Sequence, residues 1–211
     1  MQPQLIYIYD PLCGWCYGFS PVIQKIRNQY KDKMDFEIIS GGMIVGERVG
    51  PVGAFADYIL KALPRLEELT GVTFGEPYLS QLRDKSLFLS SLKPCIALEV
   101  FKSFNEKEAI VFASSMQKAH YIDGKSLEEE SVYVDLIKPY NIDSAEYLKR
   151  LNSDEFRIET VNQFKMIQEW GITGFPAVIM VHKGTYYLIA KGYLPYEDLK
   201  ATIESILKKE D

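Results

Sequence analysis

The sequence contains only three cysteines and two histidines in 211 residues, and this scarcity limits the metal chemistry open to it. A structural zinc site needs four nitrogen or sulfur ligands. Cys13 and Cys16 have the spacing of half such a site, but only Cys95, His120 and His182 could complete it, and there is no second paired motif. We therefore predict that no metal is bound.

The sequence also lacks a positive charge excess and a long apolar segment. The net charge of −5 and the pI near 5.2 argue against nucleic acid or an anionic membrane as a partner. No apolar run approaches the ~20 residues of a membrane helix, and the N-terminus has no signal-peptide pattern. We expect a cytoplasmic protein with no membrane partner, and the oligomeric state stays open. In that reducing compartment, paired cysteines are typically catalytic or redox-sensing.

The most informative motif is the quartet Cys13-Gly14-Trp15-Cys16, whose two thiols can interconvert between dithiol and disulfide. The β-branched and aromatic run at residues 5–9 predicts a short buried strand, and apolar residues at three- and four-residue steps predict a helix ending near residue 30. Unpaired N–H groups at a helix N-terminus stabilise a thiolate. Cys13 is therefore the predicted nucleophile, and Cys16 the resolving thiol.

Other uses of these side chains are less favoured. A purely structural disulfide across so small a loop would remove little chain entropy from the unfolded state. Cys95 lies among apolar helical residues, which favours a buried, unreactive thiol over a third redox partner. His120 and His182 have no paired carboxylate in the sequence that would suggest a proton relay, so we interpret both as structural.

The chain beyond the motif predicts an α/β fold. Residues 34–39 alternate as a second strand would, and the glycines at 41–42 predict a turn with positive φ rather than a ligand loop. Residues 177–181 and 185–190 predict a hairpin, and Pro195 with the acidic residues after it opens a last helix.

Between these parts, residues 47–165 predict a set of packed helices. Capping boxes are predicted at Ser126 with Glu129 and at Asp143 with Glu146. The aromatic residues predicted to pack this core are Phe101, Phe104, Phe112 and Tyr121.

This order, with paired cysteines opening the first helix, resembles the thioredoxin fold with a large helical insertion, as in DsbA-like proteins. Two further features fit the resemblance: Pro21, where such proteins kink the active-site helix, and Phe175-Pro176 before the third strand, where they carry a cis-proline. Residues 10–18, 119–127 and 171–176 are similar to segments of FrnE-type proteins, which are described as predicted disulfide isomerases or dithiol oxidoreductases. The resemblance implies a thioredoxin-fold domain of residues 1–46 and 166–211 and a helical insertion of residues 47–165.

The resemblance also implies roles for single residues. Cys13 and Cys16 would be catalytic, with Gly14 and Trp15 completing the active-site motif. The backbone of Phe175, beside Pro176, would pair with the extended chain of a substrate.

The sequence departs from the family pattern at two positions. Gly14 replaces a proline in the dipeptide that helps to set the reduction potential, which leaves the direction of electron flow open. Tyr7 stands where thioredoxins bury an acid that assists proton transfer with the resolving cysteine. Asp10 could take over that transfer, although an Asp before a helix more often forms a turn or a cap.

We therefore predict a cytosolic thiol-disulfide oxidoreductase, of isomerase, oxidase or reductase type, that acts on protein or low-molecular-weight disulfides through Cys13 and Cys16. It would need no bound cofactor, with glutathione as a candidate co-substrate. One alternative is a glutathione-dependent enzyme like the kappa-class transferases and hydroxychromene-carboxylate isomerases, which usually carry serine in place of Cys13 and lack the second cysteine. Another is a redox-regulated chaperone or binding protein, whose pair only senses oxidation.

Overall fold

The protein's secondary structure is known from a computed structural model, which describes residues 2–53 and 55–209. The strands are β1 (Gln4–Tyr9), β2 (Asp35–Ser40), β3 (Gly50–Pro51), β4 (Phe88–Leu89), β5 (Ala177–His182) and β6 (Thr185–Lys191). The helices are α1 (Gly14–Tyr30), α2 (Phe55–Thr70), α3 (Glu76–Arg83), α4 (Leu92–Asn105), α5 (Ala109–Tyr121), α6 (Glu130–Ile137), α7 (Ser144–Leu151), α8 (Asp154–Glu169) and α9 (Tyr196–Leu207).

The main sheet has the strand order β2-β1-β5-β6. β1 runs parallel to β2 and antiparallel to β5, which forms a hairpin with β6. The helices α2 to α8 all lie between β2 and β5 in the chain. The predicted thioredoxin fold with a large helical insertion is therefore confirmed.

Helices cover both faces of β1, so this strand is buried on both sides. Because successive side chains of a strand point to opposite faces, Leu5, Tyr7 and Tyr9 join the core that includes α1, while Ile6 and Ile8 join the core on the α8 side. β1 therefore ends, at Tyr9, inside the molecule and directly before the cysteine motif.

Several local predictions are confirmed. Asp143 caps α7 by accepting a hydrogen bond from the N–H of Glu146 at 2.8 Å, and Pro21 lies inside α1. Gly42 has the positive φ expected of the turn after β2, at +66°. The domain boundaries stay a prediction; α8 spans the second of them, and residues 1 and 211 lie outside the described residues.

Other local predictions are wrong. The capping box at Ser126 does not form, because α6 begins only at Glu130 and the Ser126 hydroxyl instead accepts the N–H of Glu128 within a turn. The stretch predicted as helical also contains β3 and β4, which pair with each other. Strands of two residues are too short to show an alternating pattern in the sequence.

Candidate active site

Cys13 is the N-cap residue of α1, with the extended backbone (φ −86°, ψ 111°) that a cap requires. Its sulfur accepts a hydrogen bond from the N–H of Cys16 at 3.3 Å, so it satisfies one of the free donors of the first turn. The side chain is 5% exposed, which places its sulfur at the edge of the core rather than in open solvent. A negative charge on this sulfur would be stabilised by the helix N-terminus.

Cys16 lies one turn further into α1 and is fully buried. Burial raises the pKa of the Cys16 thiol well above its ordinary value, and the neighbouring Cys13 raises this pKa further. Both cysteines are free thiols. The two sulfurs therefore differ: the Cys13 sulfur caps the helix at the edge of the core, whereas the Cys16 thiol is fully buried and keeps its proton. The roles of nucleophile and resolving thiol stay predictions.

Phe175 and Pro176 lie directly beside Cys13, although 162 positions separate Cys13 from Phe175 in sequence. The Cys13 thiol donates to the carbonyl oxygen of Phe175 at 3.5 Å, and the Phe175–Pro176 peptide bond is cis, in agreement with the resemblance. Gly41 makes room for the Phe175 ring, because a Cβ at this glycine would lie 2.0 Å from a ring carbon. The substrate-binding role of Phe175 and Pro176 stays a prediction.

Asp10 is fully buried and makes the contacts of a turn residue. Its carboxylate accepts the N–H of Leu12 at 2.9 Å, the N–H of Met43 at 2.7 Å and the hydroxyl of Ser91 at 2.9 Å. Burial raises the pKa of Asp10, and the N–H groups of Met43 and Leu12 oppose that rise. Asp10 thus ties the cysteine loop to the turn after β2 and to the start of α4, and a part in proton transfer stays a prediction.

Gly14 lies against a neighbouring helix, whereas the Trp15 ring is partly exposed to solvent. A Cβ at Gly14 would lie 3.2 Å from Cδ1 of Leu66, so α2 closes over the first turn of α1. The Trp15 ring is 36% exposed and lies 6.4 Å from the ring of Tyr193, measured between centroids. Leu66, Tyr193 and the contact of Gly41 with Phe175 were not predicted, because no local sequence pattern marks any of them.

Among the described hydrogen bonds, the side chains of Cys95, His120 and His182 make none with Cys13 or Cys16. Cys95 is fully buried in α4, and burial raises the pKa of its thiol well above the ordinary value. His120 packs in α5 against Tyr78 and Tyr121, and His182 ends β5. Among the described residues, no three His, Cys, Asp or Glu side chains are grouped so that they could hold a metal ion, and no helix is long and apolar enough to cross a membrane.

Comparison with known proteins identifies the family and the fold. A family model described as thioredoxin matches residues 6–200. A curated relative, the ClpXP adapter protein SpxH of Bacillus subtilis (strain 168), is 22% identical over 154 residues, which are 72% of this chain. The match spans only 50% of that relative's length.

Three solved structures match nearly the whole chain. A putative protein disulfide isomerase from Nitrosomonas europaea is 26% identical, with a TM-score of 0.85 and coverage of 99% of this chain and 98% of that one. The cytosolic disulfide reductase DsbM from Pseudomonas aeruginosa, also solved with GSH, is 26% identical, with a TM-score of 0.81 and coverage of 97% and 98%. A probable DsbA oxidoreductase from Streptomyces coelicolor, at 15% identity, TM-score 0.75 and coverage of 99% and 92%, shares the fold.

Proposed function

This chain belongs to the thioredoxin superfamily, in its DsbA-like branch. We therefore propose that it is a thiol-disulfide oxidoreductase that works through Cys13 and Cys16. Two of its structural neighbours are described as a putative protein disulfide isomerase and a cytosolic disulfide reductase, which supports an enzyme of the thiol-disulfide oxidoreductase type. We further propose how the Cys13–Cys16 pair reacts, which substrates it uses and in which direction thiol-disulfide exchange runs.

The observation that carries the proposal is the position of the Cys13 sulfur. It accepts a backbone N–H at the start of α1 and also contacts the carbonyl oxygen of Phe175. A substrate chain that paired with the backbone at Phe175 would bring its own sulfur against Cys13. The exposed ring of Trp15 beside Tyr193 gives such a substrate an apolar surface at the rim of the site.

The reaction proceeds in two exchanges. The Cys13 thiolate attacks one sulfur of the substrate disulfide, so that a mixed disulfide forms and the other substrate sulfur leaves with the electron pair and takes up a proton. Cys16 then attacks the Cys13 sulfur, closes the Cys13–Cys16 disulfide and releases the second substrate thiol. Two glutathione molecules return the pair to dithiols and leave as glutathione disulfide. The oxidative direction reverses these steps.

We place the protein in the cytoplasm and the net direction as reductive, with glutathione as co-substrate. Support comes from the Pseudomonas relative, which is described as a cytosolic disulfide reductase and was solved with GSH. Protein and small-molecule disulfides are both candidate substrates, because the Cys13 sulfur lies beside the Phe175 carbonyl at the start of α1.

Trapping with the Cys16→Ser variant tests the proposal. Without its resolving thiol, the protein should retain its substrate as a disulfide on Cys13, which mass spectrometry identifies. Cys95→Ser is the matched control, since that buried thiol should neither form nor release an adduct. Protein adducts would support a protein-disulfide enzyme, whereas glutathione-dependent turnover that survives Cys16→Ser would favour the glutathione-dependent alternative.

The binding-protein alternative has its own discriminating outcome. The curated relative is named an adapter, and α2 carries two largely exposed aromatic side chains, Phe55 and Tyr58. If Cys13→Ser left the cellular function intact and Cys16→Ser trapped nothing, the oxidoreductase proposal would be contradicted and a non-catalytic role would remain.

A further inference from the structure

Tyr7 presents a buried hydroxyl without a hydrogen-bond partner. Its side chain is 2% exposed, and its hydroxyl oxygen has no described partner at full hydrogen-bond geometry. The nearest candidate is Cys16, which raises the pKa of Tyr7 both by its charge and as a side-chain hydrogen-bond partner. Buried polar groups are nearly always paired, because an unpaired one has lost its water without compensation. Tyr7 lies in the core that also contains both active-site cysteines. This position points to a hydrogen bond that the Tyr7 hydroxyl completes during the reaction.

The geometry of β1 and α1 brings Tyr7 against the face of α1 that carries the resolving cysteine. Tyr7 lies on the face of β1 that joins the α1 core, and its ring packs against Phe19 with the centroids 5.7 Å apart. Cys16 precedes Phe19 by three residues, so the two share one face of α1.

After burial, the groups that act most strongly on the Tyr7 hydroxyl are the two active-site cysteines. Burial raises the pKa of Tyr7 well above its ordinary value, and negative charge on Cys16 raises it further, ahead of Cys13 and Tyr9. A phenol in this setting keeps its proton near neutral pH. It can donate a hydrogen bond to sulfur, but it cannot act as the base that a buried carboxylate would provide.

Cys16 needs such a donor. Its burial disfavours the thiolate, yet the resolving step requires that its sulfur attack as a thiolate or leave as one. We propose that the Tyr7 hydroxyl donates a hydrogen bond to the Cys16 sulfur as negative charge develops there, and so accelerates the resolving step.

The inference rests on the proposed function and adds one catalytic residue to it. In the step concerned, the Cys13–Cys16 bond forms and the bond from Cys13 to the substrate sulfur breaks. The proton lost by Cys16 goes to the departing substrate thiolate, and Tyr7 keeps its own proton throughout. Tyr7 thus differs in kind from the acid that the resemblance places at this position.

Separate measurement of the two exchanges tests this role, with oxidised glutathione as the substrate. Acid quenching and mass spectrometry follow formation of the Cys13–glutathione adduct in a Cys16→Ser background, and its decay to the internal disulfide when both cysteines are present. Tyr7→Phe should slow the decay by roughly threefold to tenfold and change the formation rate by less than about twofold, because it removes a hydrogen bond to a charged sulfur in the second step only.

Tyr9→Phe is the matched control. Its hydroxyl is also buried and unpaired, but the thiol that acts most strongly on it is Cys95. This variant should leave both rates unchanged. Both substitutions remove only an unpaired polar atom, so both variants should fold, as circular dichroism checks.

Three results would overturn the inference. These are unchanged decay in Tyr7→Phe, equal slowing in Tyr7→Phe and Tyr9→Phe, and equal slowing of both steps in Tyr7→Phe. If the parent Cys16→Ser protein formed no adduct with oxidised glutathione, the proposed function would fail, and the inference with it. That failure is distinguishable because it occurs before Tyr7 is changed.

Discussion

Position 41 requires a glycine, because the Phe175 ring fills the space that a Cβ atom would occupy. The same principle holds in α1, where a Cβ at Gly18 would lie 2.6 Å from a side-chain carbon of Thr70. At these positions glycine permits close approach of a neighbouring side chain. The position of the Phe175 ring beside Cys13 thus depends on the absence of a Cβ atom at Gly41.

Gly41→Ala should therefore destabilise the fold and displace Phe175. Forcing a methyl group into this contact should lower the free energy of unfolding by about 1–3 kcal/mol, measured by urea denaturation. Gly174→Ala is the matched control, since a Cβ there meets nothing within 4 Å, and it should change stability by less than about 0.5 kcal/mol. Equal stability of the two variants would contradict the prediction.

His120 gives the fold a pH dependence that a single residue controls. Burial lowers the pKa of His120 from 6.5 to about 4. Between these values the unfolded chain binds the proton and the folded protein does not, so stability falls as the pH decreases. The contribution lost by pH 4 is roughly 3 kcal/mol.

His120→Phe should remove that part of the pH dependence while it preserves ring packing against Tyr78 and Tyr121. Urea denaturation at pH 7.5 and pH 4.5 measures it, with the wild-type protein as the reference. The variant should lose less stability on acidification than the wild type. The same loss in both proteins would show that His120 is not responsible.

At the scale of whole elements, two similar helix-start sequences give different results. Asp143 accepts the Glu146 N–H and begins α7, whereas Ser126 forms a turn four residues before α6. The residue types at the two sites are equally suitable for a cap. The geometry of the preceding chain decides which of them serves as one.

Asp143→Ala should consequently cost about 1 kcal/mol of stability, because the first turn of α7 loses the acceptor for one of its free N–H groups. Ser126→Ala should cost less than about 0.5 kcal/mol, since this hydroxyl caps no helix. Thermal unfolding of both variants checks the comparison. A larger loss for Ser126→Ala would refute the assignment of the cap.

At the scale of the whole molecule, Arg27 joins the active-site helix to the helical insertion. It donates to the carbonyl oxygen of Lys107 at 3.1 and 2.6 Å, and it pairs with Glu108 at 2.6 Å. The Arg27 side chain is 10% exposed. The guanidinium thus satisfies a backbone carbonyl of the insertion from within α1.

Arg27→Ala should lower the free energy of unfolding by about 2 kcal/mol, because it removes hydrogen bonds from a charged donor and leaves the Lys107 carbonyl without that donor. Arg65→Ala is the matched control. The Arg65–Glu68 pair has 62% and 69% of its side chains exposed, and its loss should cost less than about 0.5 kcal/mol. Urea denaturation measures both, and equal effects would contradict a joining role for Arg27.

The sequence by itself determined the local features of this protein. The apolar run of β1, the helical spacing of α1 and the hairpin of residues 177–181 and 185–190 were predictable, because each depends on residues close together in the chain. The quartet Cys13-Gly14-Trp15-Cys16 and its place at a strand-to-helix junction follow from the same patterns. The resemblance then supplied the fold and the cis bond before Pro176.

Only the tertiary structure decided which distant residues meet. Three contacts join separate elements: Cys13 with Phe175, the Phe175 ring with Gly41, and the Tyr7 ring with Phe19. No spacing in the sequence encodes them, because periodicity reports which face of an element is buried and not what lies against it. The residue types and spacing of Cys13 and Cys16 thus predict their chemistry, whereas packing between distant elements decides which side chains surround them.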